Sequence, residues 1–261
     1  MNEPTKPQFV AGRVVSRTRH SDESMSMRVE IAEPLPFIAG QFAMLTVPVD
    51  GEPWRHEGKV VERAFSITSS PREDQLEFFV ELVEHGMLSP KLWKLDVGDT
   101  LLYRPRASGR FVLDVQSGRK NHLMIATVTG VSPYVSIVRT RAAAEDAGEP
   151  VDDKKIAILQ GASLSPDLGY RPELERLAEH RSWFTYLPTV SRPHLDPNWM
   201  GAGGRAEIHL ERLLDELGWG PEDCTIYACG HSGMITNAKE IAQKRNFPKD
   251  AFKQEAYYIA H

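Results

Sequence analysis

The sequence predicts an N-terminal antiparallel β-barrel followed by a doubly wound parallel-sheet α/β domain. The chain of 261 residues is long enough for about two domains. In its first part, short runs that mix apolar and polar residues at a spacing near two are separated by proline, glycine and aspartate. In its second part, apolar runs alternate with helical patterns, which is typical of a mostly parallel sheet. We therefore predict one domain over residues 1–116 and a second over residues 117–261.

The first domain is predicted to consist of short strands. The clearest is QLEFFVELV at residues 75–83, because it is rich in aromatic and β-branched residues. Several short strands with turn residues between them favour a small antiparallel barrel. The predicted strands are residues 12–17, 25–31, 42–47, 75–83 and 100–103.

The second domain is predicted to alternate strands and helices. Pro133 stands near the start of its first helix, where the missing N–H of proline costs nothing. In such a sheet, ligands bind beyond the carboxyl ends of the strands. The predicted strands are residues 122–127, 156–160, 184–187 and 225–228, and the predicted helices are residues 133–148, 171–180, 208–217 and 233–246.

Composition and charge exclude several classes of protein. The chain is 41% hydrophobic and 26% charged, which is ordinary for a globular protein. Its 31 basic and 36 acidic residues give a net charge of −5, so we expect no nucleic-acid partner. With no apolar run near the ~18–20 residues of a membrane span and no signal peptide, we expect a cytoplasmic protein without membrane attachment. Cys224 and Cys229 are too few for a Cys₄ zinc site or an iron–sulfur cluster, so we expect no bound metal.

The segment RAFS, residues 63–66, combines three kinds of ligand contact within one strand-like stretch. Arg63 can hold a phosphate by charge-assisted hydrogen bonds. Phe65 can stack on a flat ring, and Ser66 can bond a ring nitrogen. The spacing by itself also fits an edge strand that ends in a Ser-Pro turn.

Two further segments are suited to phosphate binding. Residues 86–92 place a glycine before a Ser-Pro pair, which suits a turn that opens a helix, and free N–H groups at such a start bind phosphate. Residues 126–133 lie between a predicted strand and a helix, the position of a dinucleotide loop, although only Gly130 of the glycine pattern is present. Each segment alone also fits a plain capped helix or loop.

In this order, the segments resemble the ferredoxin (or flavodoxin)–NADP⁺ reductase family, most closely its bacterial type. The resemblance covers nearly the whole chain, and RAFS matches the flavin motif R-x-[YF]-S of that family. Other matching segments are residues 40–42, 86–92, 108–114, 127–133, 190–192, 204–205 and 227–230.

The resemblance implies an FAD-binding barrel, an NADP-binding α/β domain, and electron exchange between NADPH and a one-electron carrier such as ferredoxin or flavodoxin. It implies that Arg63 binds the FAD phosphates and that Phe65, after Ala64, packs on the isoalloxazine. Ser66 would lie near flavin N5. The turn formed by Gly86, Met87, Leu88 and Ser89 would offer backbone groups to the FAD pyrophosphate.

On the nucleotide side, the resemblance places Thr129 between flavin and nicotinamide, and Ser191, Arg192 and Arg205 at the adenosine 2′-phosphate. Two departures from the family pattern bear on this side. Val128 stands where the loop usually has its first glycine, and a β-branched residue is expected to obstruct φ > 0 there. No basic residue occurs from Gly161 until Arg171, so two cations remain to select NADPH over NADH.

The C-terminus resembles the aromatic end of the family, in which an aromatic ring covers the flavin face that nicotinamide must later occupy. Tyr258 is our candidate for this ring, although residues 259–261 follow it and a fraying tail is the simpler interpretation. We predict Ser66, Cys229, Glu255 and Tyr258 as catalytic residues. Cys229 also fits a buried structural cysteine, and Glu255 fits either a proton relay or an ion pair.

Two other functions remain open from the sequence. One is an NAD(P)H-dependent flavin reductase that feeds an oxygenase or reduces a small molecule. The other is a non-catalytic flavin module that senses redox state. RAFS, the nucleotide loop, the arginine pair and the aromatic tail together favour an enzyme, which we expect to be a monomer.

Overall fold

Two six-stranded sheets form the fold, as the sequence predicts. The computed structural model describes residues 8–257. The first sheet is antiparallel, and its strands pair in the order β8 (Arg63–Ser66), β3 (Phe42–Thr46), β10 (Thr100–Tyr103), β1 (Val10–Arg19), β2 (Ser24–Ile31) and β9 (Gln75–Glu81). The second is parallel, in the order β14 (Ala202–Gly203), β13 (Phe184–Val190), β12 (Lys155–Ala162), β11 (Asn121–Thr127), β15 (Cys224–Gly230) and β16 (Phe252–Ala256). The predicted domain boundary at residue 116 lies between β10 and β11.

The first sheet curls until its two edge strands meet. Just beyond β8, Ile67 bridges Phe78 of β9, and the Thr68 N–H donates to the Glu77 carbonyl at 2.8 Å. These bonds close the barrel around a core that includes Leu45 and Phe78. Its elements are β1 (Val10–Arg19), β2 (Ser24–Ile31), β3 (Phe42–Thr46), β4 (Pro48–Val49), β5 (Glu52–Pro53), β6 (Arg55–His56), β7 (Lys59–Val60), β8 (Arg63–Ser66), β9 (Gln75–Glu81), α1 (Ser89–Trp93) and β10 (Thr100–Tyr103).

The second sheet is doubly wound, because strands are added first on one side of β11 and then on the other. Apolar side chains on both of its faces pack under helices, which is why its strands read as continuous apolar runs. Its elements are β11 (Asn121–Thr127), α2 (Ser132–Asp146), β12 (Lys155–Ala162), α3 (Arg171–His180), β13 (Phe184–Val190), β14 (Ala202–Gly203), α4 (Leu210–Leu217), β15 (Cys224–Gly230), α5 (Ser232–Lys244) and β16 (Phe252–Ala256).

Two differences from the predicted elements bear on the site described below. The strand predicted over residues 75–83 ends at Glu81, because the Val83 N–H donates instead to Ser89 Oγ at 3.0 Å and the chain turns toward α1. Near the C-terminus, β16 adds an edge strand beside β15 that the sequence analysis does not predict. Its sequence FKQEA carries little apolar pattern, so pairing with β15 decides its conformation.

A polar contact joins the two sheets through helix α2. Arg139 of α2 donates to Glu77 of β9 at 2.8 Å and to both oxygens of Glu173 at 2.7 Å. Tyr170 donates to the other Glu77 oxygen at 2.8 Å, and Ser136 donates to the Ser69 carbonyl at 2.7 Å. These groups are mostly buried, so the contact holds the barrel against the parallel sheet at a defined position.

Within residues 8–257, no helix combines the length and the apolar character that crossing a bilayer requires.

Candidate functional site

A cavity of about 630 Å³ opens where the barrel faces the parallel sheet. All four RAFS residues line it, and so do residues 85–89 of the turn before α1. We call this space the flavin-side cavity, after the cofactor that the sequence analysis predicts there. The two sequence segments selected for ring and phosphate binding on the barrel are thus brought to one site.

Arg63 and Phe65 line this cavity from strand β8. Within residues 8–257, Arg63 forms no ion pair, and its guanidinium donates only to the Glu62 carbonyl at 2.8 Å. Phe65 is half-buried against the barrel core, which leaves part of its ring at the cavity. An arginine without a carboxylate partner beside an aromatic ring suits a ligand that carries both phosphate and a flat ring.

The turn before α1 presents its backbone to the cavity. The Gly86 N–H donates to the Val83 carbonyl at 2.8 Å. A side chain at Gly86 would lie 3.0 Å from that carbonyl and 3.1 Å from Ser89 Oγ, so the tight turn favours glycine. Met87, Leu88 and Ser89 then line the cavity as the chain enters the helix.

Ser66 lies at the last position of β8, and its hydroxyl forms hydrogen bonds with two side chains near the C-terminus. Its hydroxyl is 2.8 Å from the Tyr257 hydroxyl and donates to Glu255 at 3.4 Å. Burial raises the pKa of the Glu255 carboxyl. Burial, with the nearby Cys229 thiol, raises the pKa of the Tyr257 hydroxyl well above its usual value. In both groups burial shifts the pKa in the direction that makes loss of the proton harder.

Tyr257, which the sequence analysis did not select, is the aromatic residue that the structure brings to Ser66. Tyr258, our candidate, lies outside the described residues. The signal in the sequence was the alternation of strand side chains: residues two apart share a face, so Glu255 and Tyr257 face the same way. The alternation applies here because Glu255 belongs to strand β16. The Tyr257 N–H extends the pairing of β16 with β15 by one residue, since it donates to the Gly230 carbonyl at 3.1 Å.

A second cavity, of about 410 Å³, lies beyond the carboxyl ends of the parallel strands. Loops that follow β11, β12, β13 and β15 line it, at the point where the strand order reverses. Such a crevice is where dinucleotides bind in doubly wound sheets. We call it the nucleotide-side cavity.

The loop after β11 has the glycine-like conformation that Val128 was expected to obstruct. Val128 adopts φ +43°, so that expectation is wrong. A left-handed β-branched residue costs about 1–2 kcal/mol, and here its side chain packs against a small apolar cluster that includes Leu168 and Trp199. The next turn packs against β15 so closely that a side chain at Gly130 would lie 2.2 Å from the Cys229 carbonyl oxygen.

Ser191, Arg192 and Arg205 all line the nucleotide-side cavity, so the structure brings these predicted residues together. The Ser191 N–H donates to the Ala162 carbonyl and the Arg192 N–H to the Ser163 carbonyl, which fixes this loop beside β12. Both arginines are exposed, and neither forms an ion pair in the described part of the chain. Two cations without carboxylate partners beside a cavity suit an anionic ligand.

Cys229 lies in the core rather than at either cavity. Its side chain is fully buried in the cluster between the parallel sheet and α2. Burial raises the pKa of its thiol well above the usual value. A neutral, enclosed thiol is a poor nucleophile, so the structure gives no support for direct chemistry at Cys229.

The two cavities meet at three residues that line both of them: Glu81, Thr129 and Tyr257. Thr129 was selected from the sequence for this position, whereas Glu81 was not. Thr129 Oγ1 donates to the Glu81 carboxylate at 3.4 Å. Ligands in the two cavities would therefore approach each other at these residues. Within residues 8–257, no cluster of three or more His, Cys, Asp or Glu side chains is placed to hold a metal ion.

Comparisons with known proteins agree on the type of molecule. The family model described as an oxidoreductase NAD-binding domain matches residues 124–240. The chain is 30% identical over 234 residues to a flavodoxin/ferredoxin–NADP reductase of Escherichia coli, covering 88% of each chain.

Two further matches bear on fold and partner. The chain is 31% identical over 239 residues to the reductase component of phenol 2-monooxygenase from a Pseudomonas strain, covering 90% of this chain and 62% of that protein. Among solved structures, a ferredoxin NADP⁺ reductase from Neisseria gonorrhoeae with bound FAD and NADP superposes with a TM-score of 0.79 at 22% identity. That match covers 97% of this chain and 100% of the other.

Proposed function

Since the chain belongs to the flavodoxin/ferredoxin–NADP reductase family, we propose that it is an FAD-dependent oxidoreductase that exchanges electrons between NADPH and a one-electron carrier such as ferredoxin or flavodoxin. The observation that carries the proposal is the junction of two cavities at Glu81, Thr129 and Tyr257. One cavity has the features of a site for a ring with phosphates, and the other those of a site for an anionic nucleotide.

The residues of the flavin-side cavity fit FAD. Arg63, which pairs with no carboxylate in the described range of the chain, would bind the FAD phosphates, together with backbone N–H groups of residues 87–89. Phe65 would pack on the ring system with Ala64 beside it. When bound, FAD accepts hydride from a nicotinamide and passes electrons on singly, which is chemistry that side chains cannot supply.

Around the reacting ring, this chain's residues position groups and hold protons. The Ser66 hydroxyl, fixed by Tyr257 and Glu255, would lie beside the ring edge. Because burial raises its pKa, the Glu255 carboxyl holds a proton more readily than an exposed glutamate does, and it lies next to Ser66. The Tyr257 side chain lines both cavities and would exclude water from the junction until nicotinamide enters.

The nucleotide-side cavity would hold NADPH. Arg192, Arg205 and Ser191 would bind the 2′-phosphate, and Thr129 would orient the nicotinamide. Because NADH lacks that phosphate, these contacts would select NADPH. We further propose that the carrier is ferredoxin or flavodoxin.

The test is anaerobic reduction of the purified protein reconstituted with FAD. We expect a yellow protein whose flavin absorbance bleaches on NADPH, more slowly on NADH, and recovers in air. Added ferredoxin or flavodoxin should then support reduction of cytochrome c, and cytochrome c alone should be reduced far more slowly. A yellow protein that neither nucleotide bleaches would contradict the enzyme and favour a flavin sensor.

A second candidate function is supply of electrons to an oxygenase, because a reductase component of an oxygenase is among the relatives. That function predicts a preference for an oxygenase component, or for a ferredoxin bound to one, over flavodoxin. The same assay with these acceptors in parallel distinguishes the two candidates.

A further inference from the structure

Glu81 is a carboxylate at the junction of the two cavities for which the proposed mechanism has no use. It is the last residue of β9 and lines the flavin-side and nucleotide-side cavities at once. Within residues 8–257, the only hydrogen bond to its side chain comes from Thr129 Oγ1 at 3.4 Å. An acidic side chain therefore faces the place where a flavin and a nicotinamide would meet.

The charged groups nearest Glu81 do not neutralise it. Within residues 8–257 no cation forms an ion pair with it, and the charges that act on it most are the carboxylates of Glu23 and Asp167. Burial and these two acids raise the pKa of Glu81. Arg192 and Arg205 line only the nucleotide-side cavity. At the junction the cavity therefore has a carboxylate without a cation, whereas away from the junction two exposed arginines lie with the buried Glu207.

This charge arrangement matches one oxidation state of a nicotinamide nucleotide better than the other. The oxidised pyridinium ring carries a positive charge, whereas the reduced dihydropyridine ring is neutral. The nucleotide phosphates are the same in both states, so their repulsion by a carboxylate cancels in a comparison of the two. In a partly buried site a nearby carboxylate distinguishes the two rings strongly.

Building on the proposed function, we propose that Glu81 is a specificity-determining residue for the oxidation state of the nicotinamide, favouring the oxidised, cationic ring. The same attraction acts during turnover. The C4–H bond of the reduced ring breaks, the hydrogen leaves with both electrons to FAD, and the ring gains its positive charge. Glu81 thereby stabilises the ring as its charge develops.

The test uses the FAD-loaded protein and three probes. NADP⁺ carries the cationic ring. The 1,4,5,6-tetrahydro analogue of NADPH carries a neutral ring and cannot donate hydride. Adenosine 2′,5′-bisphosphate has no nicotinamide ring. Dissociation constants are measured by flavin difference spectra or calorimetry. We expect Glu81→Gln to lower the preference for NADP⁺ over the tetrahydro analogue roughly tenfold, and to change this preference by a larger factor than it changes bisphosphate affinity.

Matched variants separate charge from structure. Gln keeps an oxygen that accepts the Thr129 bond, so Glu81→Gln removes the charge and little else. Glu84→Gln removes an exposed carboxylate three residues along the chain and should leave the preference for NADP⁺ over the tetrahydro analogue unchanged.

The wild-type protein provides a test that needs no variant. As pH falls through the pKa of Glu81, its preference for NADP⁺ should fall to that of Glu81→Gln, while the ratio of the variant should stay nearly flat. Other titratable or charged groups face this region in both proteins, so their contribution appears in both: Glu23, Asp167, Glu207, Glu255, Tyr257, His85, His231, Arg63, Arg192 and Arg205.

The outcomes separate this inference from the proposed function. If Glu81→Gln binds FAD and nucleotides normally and keeps the wild-type preference for NADP⁺ over the tetrahydro analogue, the role of Glu81 is overturned. The proposed reductase function is then unaffected. If the wild type binds neither FAD nor nucleotide, both are overturned. If Glu81→Gln does not bind FAD, the wild-type pH series decides: a falling ratio supports the inference, and a flat ratio overturns it.

Discussion

The two cavities are built in different ways. The flavin-side cavity takes much of its lining from two short stretches, residues 63–66 and 85–89. The nucleotide-side cavity takes its lining from loops after four strands, which are spread over more than a hundred positions. Short stretches preserve a recognisable motif in the sequence. A cavity assembled from distant loops becomes visible only when the sheet brings the strand ends together.

The first prediction concerns the buried contact through Arg139 that joins the barrel to the parallel sheet. Replacing Arg139 by Met leaves the carboxylate of Glu77, whose side chain is 5% exposed, without its buried partner. Removing one member of a buried ion pair costs about 3–5 kcal/mol. Because Arg28 still pairs with Glu77 at 2.9 Å, we expect a loss of unfolding free energy at the low end of that range, about 3 kcal/mol. Urea denaturation measures it. Arg176→Met on exposed α3 surface is the control, and an equal loss in both variants would contradict a special role for Arg139.

The second prediction concerns how the stability of the protein depends on pH through one buried histidine of the parallel sheet. His122 on β11 is fully buried, and burial lowers its pKa to about 4. The unfolded chain takes up this proton near pH 6.5 and the folded protein does not, so stability falls as pH drops from about 6.5 to 4.

We expect this group to contribute up to about 3 kcal/mol of that loss, and His122→Leu to reduce the loss by the same amount. Urea denaturation at pH 7.5 and pH 4.5 measures the difference. The exposed His194→Gln variant should behave as wild type. An acid response of His122→Leu that matches wild type would show that His122 titrates normally.

The third prediction tests the flavin-side cavity. Arg63→Ala removes the cation proposed for the FAD phosphates, and hydrogen bonds to charged groups contribute about 1.5–3 kcal/mol. FAD affinity should therefore fall roughly ten- to hundredfold, as measured by quenching of FAD fluorescence. Arg55→Ala removes an exposed cation of the same barrel and should not change it. Equal FAD affinity of Arg63→Ala and wild type would remove Arg63 from the site.

The fourth prediction tests the nucleotide-side cavity and has the smallest expected effect, because Arg192 is exposed and shares its role with Arg205. Arg192→Ala should raise the KM for NADPH roughly tenfold, or about 1.4 kcal/mol, and change the KM for NADH little. Arg212→Ala on α4 is the control. An equal rise for both nucleotides would mean that Arg192 does not recognise the 2′-phosphate.

Much of the fold was predictable because its signals are local. The aromatic and β-branched residues of β9 and the strand–helix alternation after residue 121 identify both sheets from short windows. Strand β16 was not predictable, because FKQEA carries little apolar pattern and its conformation depends on pairing with β15. The φ of Val128 was predicted wrongly for a related reason: packing against Leu168 and Trp199 outweighs the local preference of a β-branched residue.

The sequence by itself determined the order of the two domains, the RAFS strand and the glycine turn at Gly86, because each is a property of neighbouring residues. Only the tertiary structure decided that Glu81 of the barrel, Thr129 of the first parallel loop and Tyr257 of the last strand share one junction. These residues are tens of positions apart, and barrel closure and sheet order bring them together. Contacts of that kind arise from packing between elements, which local residue preferences do not encode.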